Sequence, residues 1–232
     1  MLKKLLKSPG LIVFFLSTII ILFGRSINQS FIYMVFVPFM TLSLMFDYYK
    51  KVENQDHTLY FILVFCLLGD LIITLEGFYA YTSGLMAYWG ASILFYFSLY
   101  KELKKPLGEL LKTTKFILPF SIYGIYFIVL MIYIQPFLAD LFVPILIYAA
   151  TLSFTVALSF VVYFHTKTKP NQYFMIGLFI LSITASLMGL NRFVFKNNLL
   201  HVIETLLYAP SLFYIYLYFK TKIKSEDKKI MY

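Results

Sequence analysis

Charge is scarce in this chain: only 13% of its 232 residues are Asp, Glu, Lys or Arg, where a soluble domain carries about 25%. A single cysteine, Cys66, excludes an internal disulfide and any cysteine metal cluster. The three histidines, His57, His165 and His201, lie far apart, and no His/Cys pair has metal-ligand spacing. No glycine-rich nucleotide-binding loop is present, and no polar segment is long enough for an extramembrane domain of useful size. These absences argue against a metal enzyme, a nucleotide-dependent enzyme and a soluble domain. No cofactor, no metal and no nucleic-acid partner is expected.

What fills the chain is apolar: 61% of residues are hydrophobic and 20% aromatic, against about 45–50% apolar in a soluble domain. That composition describes a polytopic membrane protein. A bilayer-spanning helix needs roughly 20 mainly apolar residues. Eight candidates lie near 9–24, 29–46, 58–75, 78–100, 115–134, 137–164, 172–190 and 200–219. The fold class is therefore all-α, with eight transmembrane helices in a single domain over 1–232. The start, Lys3-Lys4-Leu5-Leu6-Lys7 followed by Leu11–Phe23, has the look of a signal peptide. No small-x-small cleavage site follows, so it reads as the first transmembrane helix.

The basic residues set the topology. With the N-terminus inside, only Arg25, Arg192 and Lys196 of the 20 Lys and Arg fall on the outer side. That bias places both termini in the cytoplasm and accounts for the net charge of +9 without nucleic acid. The tail 220–232 reads as a basic cytoplasmic segment. The expected location is the bacterial inner (plasma) membrane, multi-pass.

The two halves share short patterns in the same order. Phe36-Val37-Pro38-Phe39 returns as Phe142-Val143-Pro144-Ile145, and Leu94-Phe95-Tyr96 as Leu212-Phe213-Tyr214. Aligning Phe78 with Phe193 sets Asp70 opposite Ala185. Four helices return the chain to its starting side, so the repeats, about 9–100 and 115–219, are expected to be parallel, related by an axis along the membrane normal. Pro38, Pro144 and Pro210 are candidate helix breaks.

Four carboxylates lie in or beside the apolar runs: Asp70, Glu76, Asp140 and Glu204. A charge within a membrane span is costly and marks a functional site facing the protein interior. Asp70 lies about 12 residues, roughly 18 Å, from the cytoplasmic end of helix three. Glu76 ends that helix, Asp140 opens helix six, and Glu204 lies in the first two turns of helix eight. Arg192 and His201 are expected on the same outer side, with Arg192 able to pair with Glu204 or Glu76. Tyr79, Tyr81, Tyr214, Tyr216 and Tyr218 fit an interfacial belt. Gly77, Gly84 and Gly90 suit close helix approach.

At these residues the chain resembles the YhhN family, the lysoplasmalogenase-type membrane proteins of eight helices. Gly69, Asp70, Phe78 and Gly84 match the first signature, with Tyr88 at its second aromatic. Asn191, Arg192, Phe193, Thr205 and Ala209 match the second. The chain departs from the pattern at five places. Ala185 stands where the family has its second aspartate and Thr184 where it has serine. Ser92 replaces a histidine, Phe95 a tyrosine (Tyr96 is adjacent) and Pro210 a glutamine.

The resemblance implies hydrolysis of the vinyl ether of a lysoplasmalogen, giving a fatty aldehyde and a glycerophospho-alcohol, with a lysophospholipid-like membrane lipid as substrate. Protonating the vinyl carbon and adding water to the oxocarbenium ion suits two carboxyl groups, as in glycoside hydrolysis. With Ala185 the usual pair is broken. Asp70 and Glu204 become the expected catalytic pair, with Asp140 the alternative second acid. Ser92, Tyr96, Asn191, Arg192 and Thr205 are the expected substrate contacts. Two other readings stay open: a catalytically inactive lipid-binding homologue, which the departures favour, and a small-molecule transporter. Head-group, chain length and oligomeric state are not legible.

Overall fold

The computed structural model describes residues 8–75, 77–103, 109 and 113–230, with side chains through 223. Eight helices cover them: α1 (Pro9–Ser26), α2 (Ser30–Lys51), α3 (Thr58–Ile73), α4 (Phe78–Tyr100), α5 (Thr114–Ile134), α6 (Phe142–Thr166), α7 (Lys169–Leu190) and α8 (Asn198–Ile230). Two 3-10 turns, Gln135–Phe137 and Ala139–Leu141, join α5 to α6, and a π turn, Asn191–Phe195, ends α7. The described residues hold no strand. The expected basic tail continues α8 to Ile230, and Asp140 sits in a 3-10 turn ahead of α6.

Helix is what an apolar sequence must form in lipid, since no water is there to satisfy backbone polar groups. Several hydroxyls bond back to their own helices: Thr18 to Phe14 O, Ser98 to Leu94 O and Thr155 to Thr151 O. Thr168 caps α7 by accepting from the Asn171 N–H. Pro38 and Pro210 lie inside α2 and α8, which run on past them. The broken helices that a transporter commonly shows are therefore not found at these prolines. Six helical stretches are long and apolar enough to cross a membrane. Of the other two, α3 has only 16 residues; α4 has 23, but tyrosines, serines and glycines dilute its apolar content.

Seven helices close a ring: α1 packs on α2, α2 on α3, α3 on α4, α4 on α6, α6 on α7, α7 on α8, and α8 returns to α1. Helix α5 stands outside, against α6. Gly84 sets the α3–α4 spacing, because a Cβ there would lie 2.6 Å from Ile73 Cγ1. Gly90 has a similar role against the Phe65 ring. Gly77 differs. A Cβ there would meet nothing within 4 Å, and it is glycine because the turn into α4 needs φ +115°.

The bundle is tied at both ends. At one, the Asn198 amide donates to Ser26 O, Arg192 to Ile73 O, and Tyr81 meets the Phe193 ring. At the other, buried Asp47 takes Lys51 at 2.8 Å, Lys220 at 3.3 Å and the Tyr216 hydroxyl. Lys222 pairs with Glu102 at 2.6 Å. These partners correct the interfacial-belt reading for three tyrosines. Tyr81, Tyr216 and Tyr218 are buried, because each hydroxyl-bearing ring finds polar or aromatic company inside the bundle. Tyr79 alone of the described belt residues is strongly exposed, at 84%.

Candidate functional site

The ring encloses a cavity of about 260 Å³ near the Arg25 and Arg192 end. Every helix but α5 contributes to its wall. Asp70, on α3, is its polar centre and is only 3% exposed. Three tyrosine hydroxyls from three helices donate to its carboxyl group. Tyr33 of α2 and Tyr88 of α4 reach Oδ1 at 3.0 and 2.6 Å, and Tyr208 of α8 reaches Oδ2 at 2.8 Å. Both oxygens are thereby partnered, as a carboxyl group in so dry a place requires.

The preceding glycine makes this possible. A Cβ on Gly69 would lie 2.8 Å from the Tyr88 ring. Only hydrogen at that position lets the ring lie flat on α3 and bring its hydroxyl to Asp70.

On α8, His201, Glu204, Thr205 and Tyr208 all line the cavity. Their spacing, three, then one, then three residues, is one helical stripe. Glu204 Oε2 lies 3.2 Å from His201 Nδ1. Its Oε1 is buried and has no hydrogen-bond partner among the described residues. The imidazole is 36% exposed and so links the buried acid to the outside.

Two guanidinium groups complete the site. Arg192 leaves α7 in the π turn, lies 4.4 Å from the centre of the Tyr81 ring and donates to Ile73 O at 3.3 Å. Arg25, at the end of α1, lies 3.8 Å from the centre of the Tyr33 ring. Its Nε is buried, with no hydrogen-bond partner among the described residues. Both rings hold the cations by their faces.

Of the residues singled out from sequence, Asp70, Glu204, Ser92, Arg192 and Thr205 line this cavity. Tyr96 does not; its ring packs on Phe97, Tyr100 and Phe154. Asn191 is fully buried behind the cavity, where its Oδ1 accepts from the Asn197 N–H at 2.7 Å and shapes the turn that carries Arg192. Asp140 is exposed and apart from the site. Glu76 falls outside the described residues. The expected Arg192–Glu204 contact is not found among the described ion pairs, where Glu204 takes His201.

Sequence reading missed Arg25, Tyr33, His201 and Tyr208 as site residues, and took Tyr88 only as a motif aromatic. The α8 stripe was legible as helical spacing from Glu204. Tyr33 carried no signal among 20 tyrosines. Ala185 and Thr184 line the cavity too, so the position at which the resemblance implies a second aspartate lies on the chamber wall. Among the described residues no three His, Cys, Asp or Glu side chains cluster as a metal site.

Fold and site define a polytopic helical membrane protein with a carboxylate-bearing cavity at one end of a seven-helix ring. The chain belongs to the YhhN family, whose model matches residues 31–218. No curated protein and no solved structure matches it.

Proposed function

We propose that the protein hydrolyses the vinyl ether bond of a lysoplasmalogen or similar single-chain lipid. One observation carries the reading. A single cavity holds Asp70, with both oxygens partnered, and Glu204, with one buried oxygen that has no partner among the described residues, together with Arg25 and Arg192. Glu204 Oε1 is the group that delivers a proton to the vinyl carbon, and His201 resupplies it from the exposed side. Asp70, fixed as an anion by three hydroxyls, faces the oxocarbenium ion and then takes a proton from the attacking water. The resulting hemiacetal splits into aldehyde and alcohol, and the proton taken by Asp70 leaves through the shared cavity by way of Glu204 and His201, which balances the one supplied. This division of labour between two carboxyl groups parallels glycoside hydrolysis. Arg25 and Arg192 hold the phosphate of the head-group. A phosphate on a guanidinium is a charge-assisted contact.

The deciding experiment is aldehyde release from a lysoplasmalogen by the purified protein in detergent, beside an active homologue. Release supports the reading. Silence from folded protein, with the homologue working, overturns it.

A second reading, lipid binding without cleavage, has one specific observation behind it: Ala185 facing the chamber. It predicts saturable lysolipid binding with no aldehyde, and release once Ala185→Asp restores the second acid.

Two outcomes follow from the enzyme reading. Arg25→Gln or Arg192→Gln should raise KM roughly 10- to 100-fold, the worth of a hydrogen bond to a charged group, about 1.5–3 kcal/mol. A glyceryl vinyl ether without phosphate should be cleaved equally by variants and wild type. Equal KM values on the phospholipid would remove the phosphate role. Gly69→Ala, which pushes Tyr88 from Asp70, should lower kcat about 10- to 100-fold, the scale of a misplacement near 1 Å. An unchanged kcat would show that the ring adjusts without cost to Asp70.

A further inference from the structure

We infer that the hydrocarbon tail of the bound lipid lies in an apolar passage that leaves the Asp70 cavity between α6 and α7 and opens to the bilayer beside α5, narrowed midway at the Tyr126–Ser186 hydrogen bond. This rests on the single-chain-lipid reading of the site.

Two further chambers make up the passage. The first, about 60 Å³, lies among α4, α5, α6 and α7. It shares Tyr148, Ala185 and Met188 with the Asp70 cavity, so the two adjoin at these side chains. The second, about 330 Å³, is a groove formed by α5, α6 and α7, lined by Leu118, Ile122, Phe160, Phe164, Phe179 and Ile183 among others. It shares Tyr126 and Ser182 with the first. The three spaces run in series from the polar end towards the opposite face. From Ile134, beside the narrow chamber, to Leu118, beside the groove, α5 descends roughly 24 Å at 1.5 Å per residue.

The walls are mostly apolar, and the Tyr123 hydroxyl, beside the groove, is buried with no hydrogen-bond partner among the described residues. The Ser182 hydroxyl donates to Phe179 O and that of Ser186 to Ser182 O. The Tyr126 hydroxyl donates in turn to Ser186 Oγ across the narrow chamber. These hydroxyls already have partners and make no demand on a guest. The position of α5 outside the ring leaves the groove, since it packs on α6 and only lightly on α7.

An alkyl chain is the occupant that the geometry fits. The narrow chamber is far too small for a helix. A protein partner docked on the groove would not need a passage continuous with a buried carboxylate. A lipid with its phosphate at Arg25 and Arg192 has its tail pointing down this route, along the bilayer normal. The tail gains little hydrophobic free energy, because lipid is as apolar as the passage. Packing in the passage instead fixes the register of the bond next to the head-group, so that chain length matters for binding.

The test uses a non-hydrolysable alkyl-ether lysophospholipid series from short to long chains, with Kd measured for wild type, Ala149→Leu and Ala149→Phe. Ala149 lines the narrow chamber and not the Asp70 cavity. The passage predicts that long-chain Kd rises at least 10-fold in Ala149→Phe, less in Ala149→Leu, and that short-chain Kd stays unchanged in both. Equal chain-length profiles in wild type and folded variants overturn the passage and leave the proposed function standing. No binding by wild type at any chain length overturns both. A long-chain lysolipid with a terminal diazirine supplies a readout in wild type that no folding defect can confound. Labelling of α5 and α7 near Ile122 and Phe179, competed by unlabelled lysolipid, is the expected result, and competed labelling confined to α1 or α2 overturns the passage.

Discussion

Replacing Asp70 by asparagine is expected to lower aldehyde release about 100- to 1,000-fold, the usual cost of removing a preorganised electrostatic partner. The folded protein should survive. Asparagine has the same shape, its Oδ1 accepts a hydroxyl, and a tyrosine hydroxyl that faces the new amide turns to accept instead of donating. What disappears is the negative charge that the proposed mechanism places on this carboxyl group, which accepts three hydroxyls at 3.0, 2.6 and 2.8 Å. In the proposed reaction that charge would oppose the oxocarbenium ion in a largely buried site, where electrostatic interactions exceed their strength in water. KM should change little, since the head-group contacts are elsewhere. The measurement is kcat for aldehyde release beside thermal unfolding in detergent. Full activity in a folded Asp70→Asn protein would take Asp70 out of the chemistry and leave it as a node for three helices.

The second large effect is expected at Glu204→Gln, about 100- to 10,000-fold in kcat, the range of general acid catalysis. Glutamine fills the same space and keeps a contact with His201, but it has no proton to give to carbon. Buried Oε1, without a partner among the described residues, is the reason for choosing this oxygen as the donor. His201→Gln should show a smaller loss, because it removes the resupply of the proton and leaves the acid itself. The double variant Asp70→Asn/Glu204→Gln should be little worse than the poorer single variant, since groups acting as one unit are strongly non-additive. Equal rates for wild type and Glu204→Gln would exclude Glu204 as the acid.

Much of the architecture was legible because it is a local property of the chain. Hydropathy is summed over neighbours in sequence, so runs such as 9–24 and 115–134 announced their helices without any tertiary information. Proline was harder to read. Pro38 and Pro210 were candidate breaks, yet α2 and α8 continue, because neighbouring helices support the backbone they interrupt. The tyrosines were harder still. Tyr79 and Tyr216 look alike in sequence, but the first is exposed and the second lies against Asp47 in the bundle. Asp47 itself was overlooked, since an acid at a helix end beside lysines reads as wet surface until Lys220 and Tyr216 are seen above it.

The site divides in the same way. By itself the sequence determined that Asp70 is costly where it stands, that Glu204 and Arg192 belong to the same end of the molecule, and that Ala185 has taken an acid's place. The first two follow from a residue's chemistry and its place in an apolar run, and the third is what the alignment of the two halves and the family resemblance imply. Only the tertiary structure decided which groups surround Asp70. Tyr33, Tyr88 and Tyr208 are 37, 18 and 138 residues away from it in sequence. They meet it because the ring closes α2, α3, α4 and α8 around one space. The same closure brought Arg25 into the cavity, left Tyr96 and Asn191 outside its wall and put α5 beyond the ring. Side-chain partnership across helices is set by which faces pack together, and in a chain apolar on nearly every face no periodicity records that choice.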